Sequence, residues 1–356
     1  MPMLDIYAGA SALNKIKTHG LSPALFDTIL GASGGPKWFV LAGLDRILIP
    51  EFFASTSHEL NVVGSSAGAF RAACMAQSDP RAAIDRLAHY YSHTVYDGKP
   101  TPKDITQSVI DIMDSMMGEN GIDEIINNPR VKAHFIVARA KGFNRYESKC
   151  LQIPGLALSA GLNYGSRRFL KRSFDRVVFS TSPLEILCPY ALPSDYQTLT
   201  KANLIQALTA SGSIPAIMEG VKDIVGAPKG MYRDGGVVDY HFDMQFKHHQ
   251  YNDKLILYPH FYAKPSPGWF DKSIKSRTPH INSYDNVVML VPSRQFVNSL
   301  PYNKIPDRTD FETMDASTRI AYWTEVLKQT DKLGDTFLEM ASDPNISQRI
   351  KPFVFS

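Results

Sequence analysis

The chemistry in this sequence starts at Gly64-Ser65-Ser66-Ala67-Gly68. Before it, Leu60-Asn61-Val62-Val63 reads as a short buried strand. After it, Ala67, Ala69, Phe70, Ala72, Ala73 and Met75 make a small apolar helix. A serine with glycines two positions to either side, at a strand-to-helix turn, is what a nucleophile elbow requires. Only small residues fit so sharp a turn, and the turn holds the serine oxygen in front of the sheet at a helix N-terminus. Ser66 is the candidate nucleophile.

A serine hydroxyl is a weak nucleophile until a base takes its proton. Met231-Tyr232-Arg233-Asp234-Gly235-Gly236 puts an acid at a strand end before two glycines. An unperturbed aspartate has a pKa of about 3.9, so Asp234 needs partial burial to serve as a base. A second G-x-S-x-G match, Gly31-Ala32-Ser33-Gly34-Gly35, runs on into Pro36-Lys37. Pro36 suits the start of a helix, and the glycines expose backbone. This loop therefore reads as an oxyanion hole rather than an elbow. Pro36 has no N–H, which leaves Gly34, Gly35 or Lys37 as donors, with Ala67 as a further one. Each such donor is typically worth about 3 kcal/mol. His241 and His260 keep an alternative open, because the chain order Ser66, Asp234, His260 also fits a Ser-His-Asp triad. Ordinary βα turns, with a plain turn after Asp234, are the non-catalytic alternative.

Taken in order, Gly34-Gly35-Pro36-Lys37, Gly64 to Gly68 and Asp234-Gly235-Gly236 resemble the patatin-like lipid acyl hydrolases. The stretch 208–215, containing Ala210-Ser211 and Pro215, is similar to that family's A-S-x-x-x-P segment. The resemblance covers about 27–241. It departs at Ala32-Ser33, where the family has Asp-Gly, at Lys37 for Arg and at Trp38 for Gly. It implies an α/β fold of three α/β/α layers, with a mostly parallel central sheet and, in this chain, a helical C-terminal extension. It also implies a Ser66–Asp234 dyad, a backbone oxyanion hole, no cofactor, and carboxylic esters of phospholipids or related lipids as substrates. An esterase or thioesterase acting on soluble acyl substrates, and a catalytically silent lipid-binding protein, are the rival readings.

Composition bounds the rest. With 356 residues, 44% hydrophobic and 21% charged, the chain has the balance of an ordinary globular protein, and it reads as a single domain over 1–356. A net charge of +3 is too mild to argue for nucleic acid. Cys74, Cys150 and Cys188 are scattered, with no CxxC, which points to a reducing compartment without a metal or disulfide framework. No signal-peptide pattern opens the chain and no apolar run reaches the ~18 residues of a membrane span. The expected location is cytoplasmic, with peripheral membrane contact through the basic stretch 167–172 and the Trp269-bearing loop 264–277. His248-His249 reads as surface, and Met113, Met116 and Met117 as core or as an acyl pocket.

The positioning elements follow. Strand, loop and helix over 26–48, then strand, elbow and helix over 60–77, predict a parallel sheet covered by helices. Helices are expected over 79–96, from Thr101, over 203–210 and over 309–341. Strands are expected at 133–138, 176–179, 254–258 and 286–291. The middle, 151–194, is expected to be the least regular part.

Overall fold

The computed structural model describes residues 3–247 and 253–355, so His248-His249 lies outside the described residues. One large sheet draws strands from nearly the whole length of the chain. Its centre is five parallel strands in the order Val287–Pro292, Leu255–Pro259, Phe26–Gly31, Leu60–Ser65 and Val131–Ala140. The first four are buried along their whole length. Strands covered on both faces in this way read as continuous apolar runs, which is why they are legible in the sequence. Leu4–Ala8 adds an antiparallel strand beside Val287–Pro292, and Phe174–Ser180 runs antiparallel to Val131–Ala140 on the other side. Helices pack against the sheet, giving the expected mixed, mostly parallel α/β architecture. The C-terminal third is more than an appended helical segment. Two of its strands enter the middle of the sheet, and helix Asp331–Ala341 packs on helix Ala42–Ile47.

Two expectations need correction. Helix Pro80–Ser92 stops short of Tyr96. More importantly, the middle segment is not irregular, because Lys149–Gly165 is a 17-residue helix with Pro154 inside it. Its buried positions are Gln152, Gly155, Ser159 and Asn163, small or polar residues at helical spacing. The apolar residues Ile153, Leu158 and Tyr164 face outward. An apolar-face search misses a helix that is inside out. Met113, Met116 and Met117 are core residues.

Candidate active site

Strand Val131–Ala140 seats both halves of the site on one edge. Ser65 pairs with Ile136, and Asp234, the last residue of antiparallel strand Met231–Asp234, pairs with Val137. Where the elbow strand ends, the Asp234 strand begins, so consecutive residues of one strand fix both. Ser66 Oγ donates to Asp234 Oδ2 at 2.7 Å.

The elbow is built tightly. Ser66 has φ 56° and ψ −129°, a region that costs a non-glycine residue about 1–3 kcal/mol. Two hydrogen bonds hold it there. The Ser66 N–H donates to Ser211 Oγ at 2.9 Å, and Ser211 Oγ donates to the Ile136 carbonyl at 2.8 Å. Gly68 lies so close to the neighbouring strand that a Cβ on it would sit 1.8 Å from the Gly31 carbonyl oxygen. Gly235 likewise leaves no room, its Cβ falling 2.1 Å from the Ile136 carbonyl oxygen. Ser33 is buried, and its Oγ donates to the Ser65 carbonyl at 3.0 Å. It therefore ties the first G-x-S-x-G loop to the elbow strand, while Ser66 opens on the cleft.

Burial pushes the Asp234 carboxyl up to about 6, against hydrogen bonds from Ser66 and the Gly236 N–H and the charges of Arg308 and Lys272, which pull it down. A group poised there is a usable base near neutrality. Gly34, Gly35, Ser66 and Asp234 lie together in the wall of one cleft. Among the described residues the Gly34 and Gly35 amides meet no protein acceptor. The Lys37 amide does. It turns back to the Gly34 carbonyl at 3.4 Å, and the Lys37 ammonium pairs with Asp307. The Lys37 N–H is thus engaged within the short helix Gly35–Leu41, unlike those of Gly34 and Gly35.

The histidines go elsewhere. His241 and His260 are buried with their rings 4.3 Å apart, edge to face. His241 Nδ1 accepts from the Ser266 N–H and His260 Nδ1 from the Tyr262 N–H. Burial holds His260 down at about 3 and His241 well below the usual imidazole range. Neither lines the cleft. Arg167, expected on a membrane-facing surface, is also buried. It pairs with Asp271 and donates to the Val238 carbonyl.

Sequence reasoning missed Ser211 as the support of the Ser66 amide, although it lies in the A-S-x-x-x-P segment. It also missed Arg308, which reaches the cleft from far along the chain with no motif around it. Arg308 and Lys272 line the cleft, and among the described residues neither has a carboxylate within ion-pair distance. Lys272 lies over the Tyr240 ring at 3.7 Å. Among the described residues no helix is long and apolar enough to cross a membrane. A family model described as patatin-like phospholipase matches residues 60–241, just over half of the chain. No curated protein matches it.

Proposed function

The chain belongs to the patatin-like phospholipase family, and from that premise we propose that it is a serine lipid acyl hydrolase working through a Ser66–Asp234 dyad. The 2.7 Å hydrogen bond from Ser66 Oγ to a buried Asp234 carboxylate carries this reading. Ser66 Oγ attacks the ester carbonyl carbon while Asp234 Oδ2 takes the hydroxyl proton. The Gly34 and Gly35 amides, with that of Ala67 at the start of the elbow helix, hold the developing oxyanion. Asp234 passes its proton to the leaving alcohol as the tetrahedral intermediate collapses. Water, deprotonated by the same carboxylate, then releases the fatty acid. Ile214, Pro215, Val237 and Trp269 supply apolar wall for the acyl chain. Arg308 and Lys272 suit a phosphate beside the ester, which favours phospholipids over small neutral esters. The direct serine–carboxylate bond, with neither histidine in the cleft wall, favours the dyad over a triad.

The test compares fatty-acid release from phosphatidylcholine in mixed micelles with hydrolysis of p-nitrophenyl butyrate. The expected result is turnover of both, with a rate that rises on micelle addition, and loss of both in Ser66→Ala. Hydrolysis of the soluble ester alone would instead make the protein an esterase.

A further inference from the structure

We propose that the outward face of helix Lys149–Gly165 is a docking surface for an anionic lipid bilayer, placing the mouth of the cleft against the membrane. This rests on the lipid-hydrolase reading for its purpose, but not for its evidence. The helix is inverted. Gln152, Gly155, Ser159 and Asn163 point inward, while Leu151, Ile153, Leu158 and Tyr164 are exposed, with Leu158 59% and Tyr164 74% accessible. The inward face is held by specific bonds rather than by an apolar core. Asn144 Nδ2 donates to Ser159 Oγ, Asn163 Nδ2 donates to Asp271 Oδ1, and Gln152 Oε1 accepts from the Ala216 N–H.

Between Lys149 and Arg167 the chain carries no charged residue. An exposed helix facing only water has no reason to lack charge, whereas one lying at a headgroup boundary does. Its flanks are basic. From 141 to 172 the chain has Lys141, Arg145, Lys149, Arg167, Arg168, Lys171 and Arg172 against the single acid Glu147. Arg167 is buried on Asp271, Lys141 pairs with Asp175, and Glu147 is paired with Arg233. Arg145, Lys149, Arg168, Lys171 and Arg172 remain exposed. Phe143 and Phe169, beside them at the two ends of the helix, are exposed as well. Aromatic and basic residues bracketing an uncharged apolar face match the headgroup layer of an anionic membrane, each cation adding attraction there.

The helix is also coupled to the cleft. Its Gln152 holds Ala216, next to Pro215 in the cleft wall, and its Asn163 holds Asp271, between the wall residues Trp269 and Lys272. The face that meets the bilayer is thus carried on the element that braces the cleft wall.

The test is sedimentation with vesicles of ether-linked phosphatidylcholine, with and without ether-linked phosphatidylserine. These lipids carry no carboxylic ester to cleave, so binding is read whether or not the protein is a hydrolase. Wild type is expected to bind the serine-containing vesicles, and less so at high salt. Ile153→Glu with Leu158→Glu should weaken partitioning by about tenfold or more. Circular dichroism and thermal melting check that this variant is folded. Equal binding by wild type and variant, or no wild-type binding, would overturn the proposal. So would sedimentation velocity showing a lipid-free dimer that the double substitution dissociates, since the face would then belong to a second copy of the chain.

Discussion

At the scale of single residues the account turns on Asp234. Its carboxyl sits near 6 because burial disfavours the charge, with partial relief from Ser66 and the Gly236 amide. Activity requires the ionised form, so kcat/KM should fall as pH drops through about 6. An imidazole could give a similar limb, so the discrimination lies in the variants. His241→Ala and His260→Ala should keep both the activity and the limb, while Asp234→Asn should lose at least ~10³-fold in kcat. Burying this charge also has a stability cost with a defined sign. The folded-state value is raised, so the cost is absent below about 3.8 and complete above about 6, roughly 3 kcal/mol at most. Asp234→Asn should therefore be more heat-stable than wild type at pH 8 and nearly equal to it at pH 4. A variant destabilised at both pH values would contradict that. Ser66 and Asp234 were legible in the sequence because small-residue turns leave a signature. Ser211 and Arg308 were not, since a backbone-holding hydroxyl and a lone cation from a distant loop leave none.

At the scale of elements, the elbow helix Ala67–Met75 must be locked in place for Ser66 to keep its strained backbone. Arg71, fully buried on that helix, makes a two-pronged ion pair with Asp45 of helix Ala42–Ile47, at 2.6 and 2.7 Å. Removing one partner leaves the other charge buried and uncompensated, which costs about 3–5 kcal/mol. Arg71→Met should lose that much in urea denaturation and lower turnover with it. Adding Asp45→Leu should recover most of the stability, because a buried pair replaced by apolar groups is near neutral. If the double variant were as unstable as the single one, the pair would not be the lock. The strands were readable because a strand covered on both faces is an unbroken apolar run. Helix Lys149–Gly165 was not, because its core-facing stripe is Gln, Gly, Ser and Asn.

At the scale of the whole molecule, the sheet joins segments remote in sequence, and the C-terminal region completes the site. Asp307 engages Lys37 beside the oxyanion loop, Trp323 packs on Phe39 with ring centres 5.2 Å apart, and Arg308 reaches the cleft. Alternating strands and helices made the α/β class legible. The path by which strands Leu255–Pro259 and Val287–Pro292 return to the middle of the sheet was not, since no local pattern encodes strand order. The central claim is that this assembly makes one serine nucleophilic, and a neutral fluorophosphonate tests it most directly. Intact mass and peptide mapping should show a single adduct, on Ser66, blocked in Ser66→Ala and retained in Ser33→Ala. An adduct on Ser33, or none on a folded wild-type protein, would contradict the account.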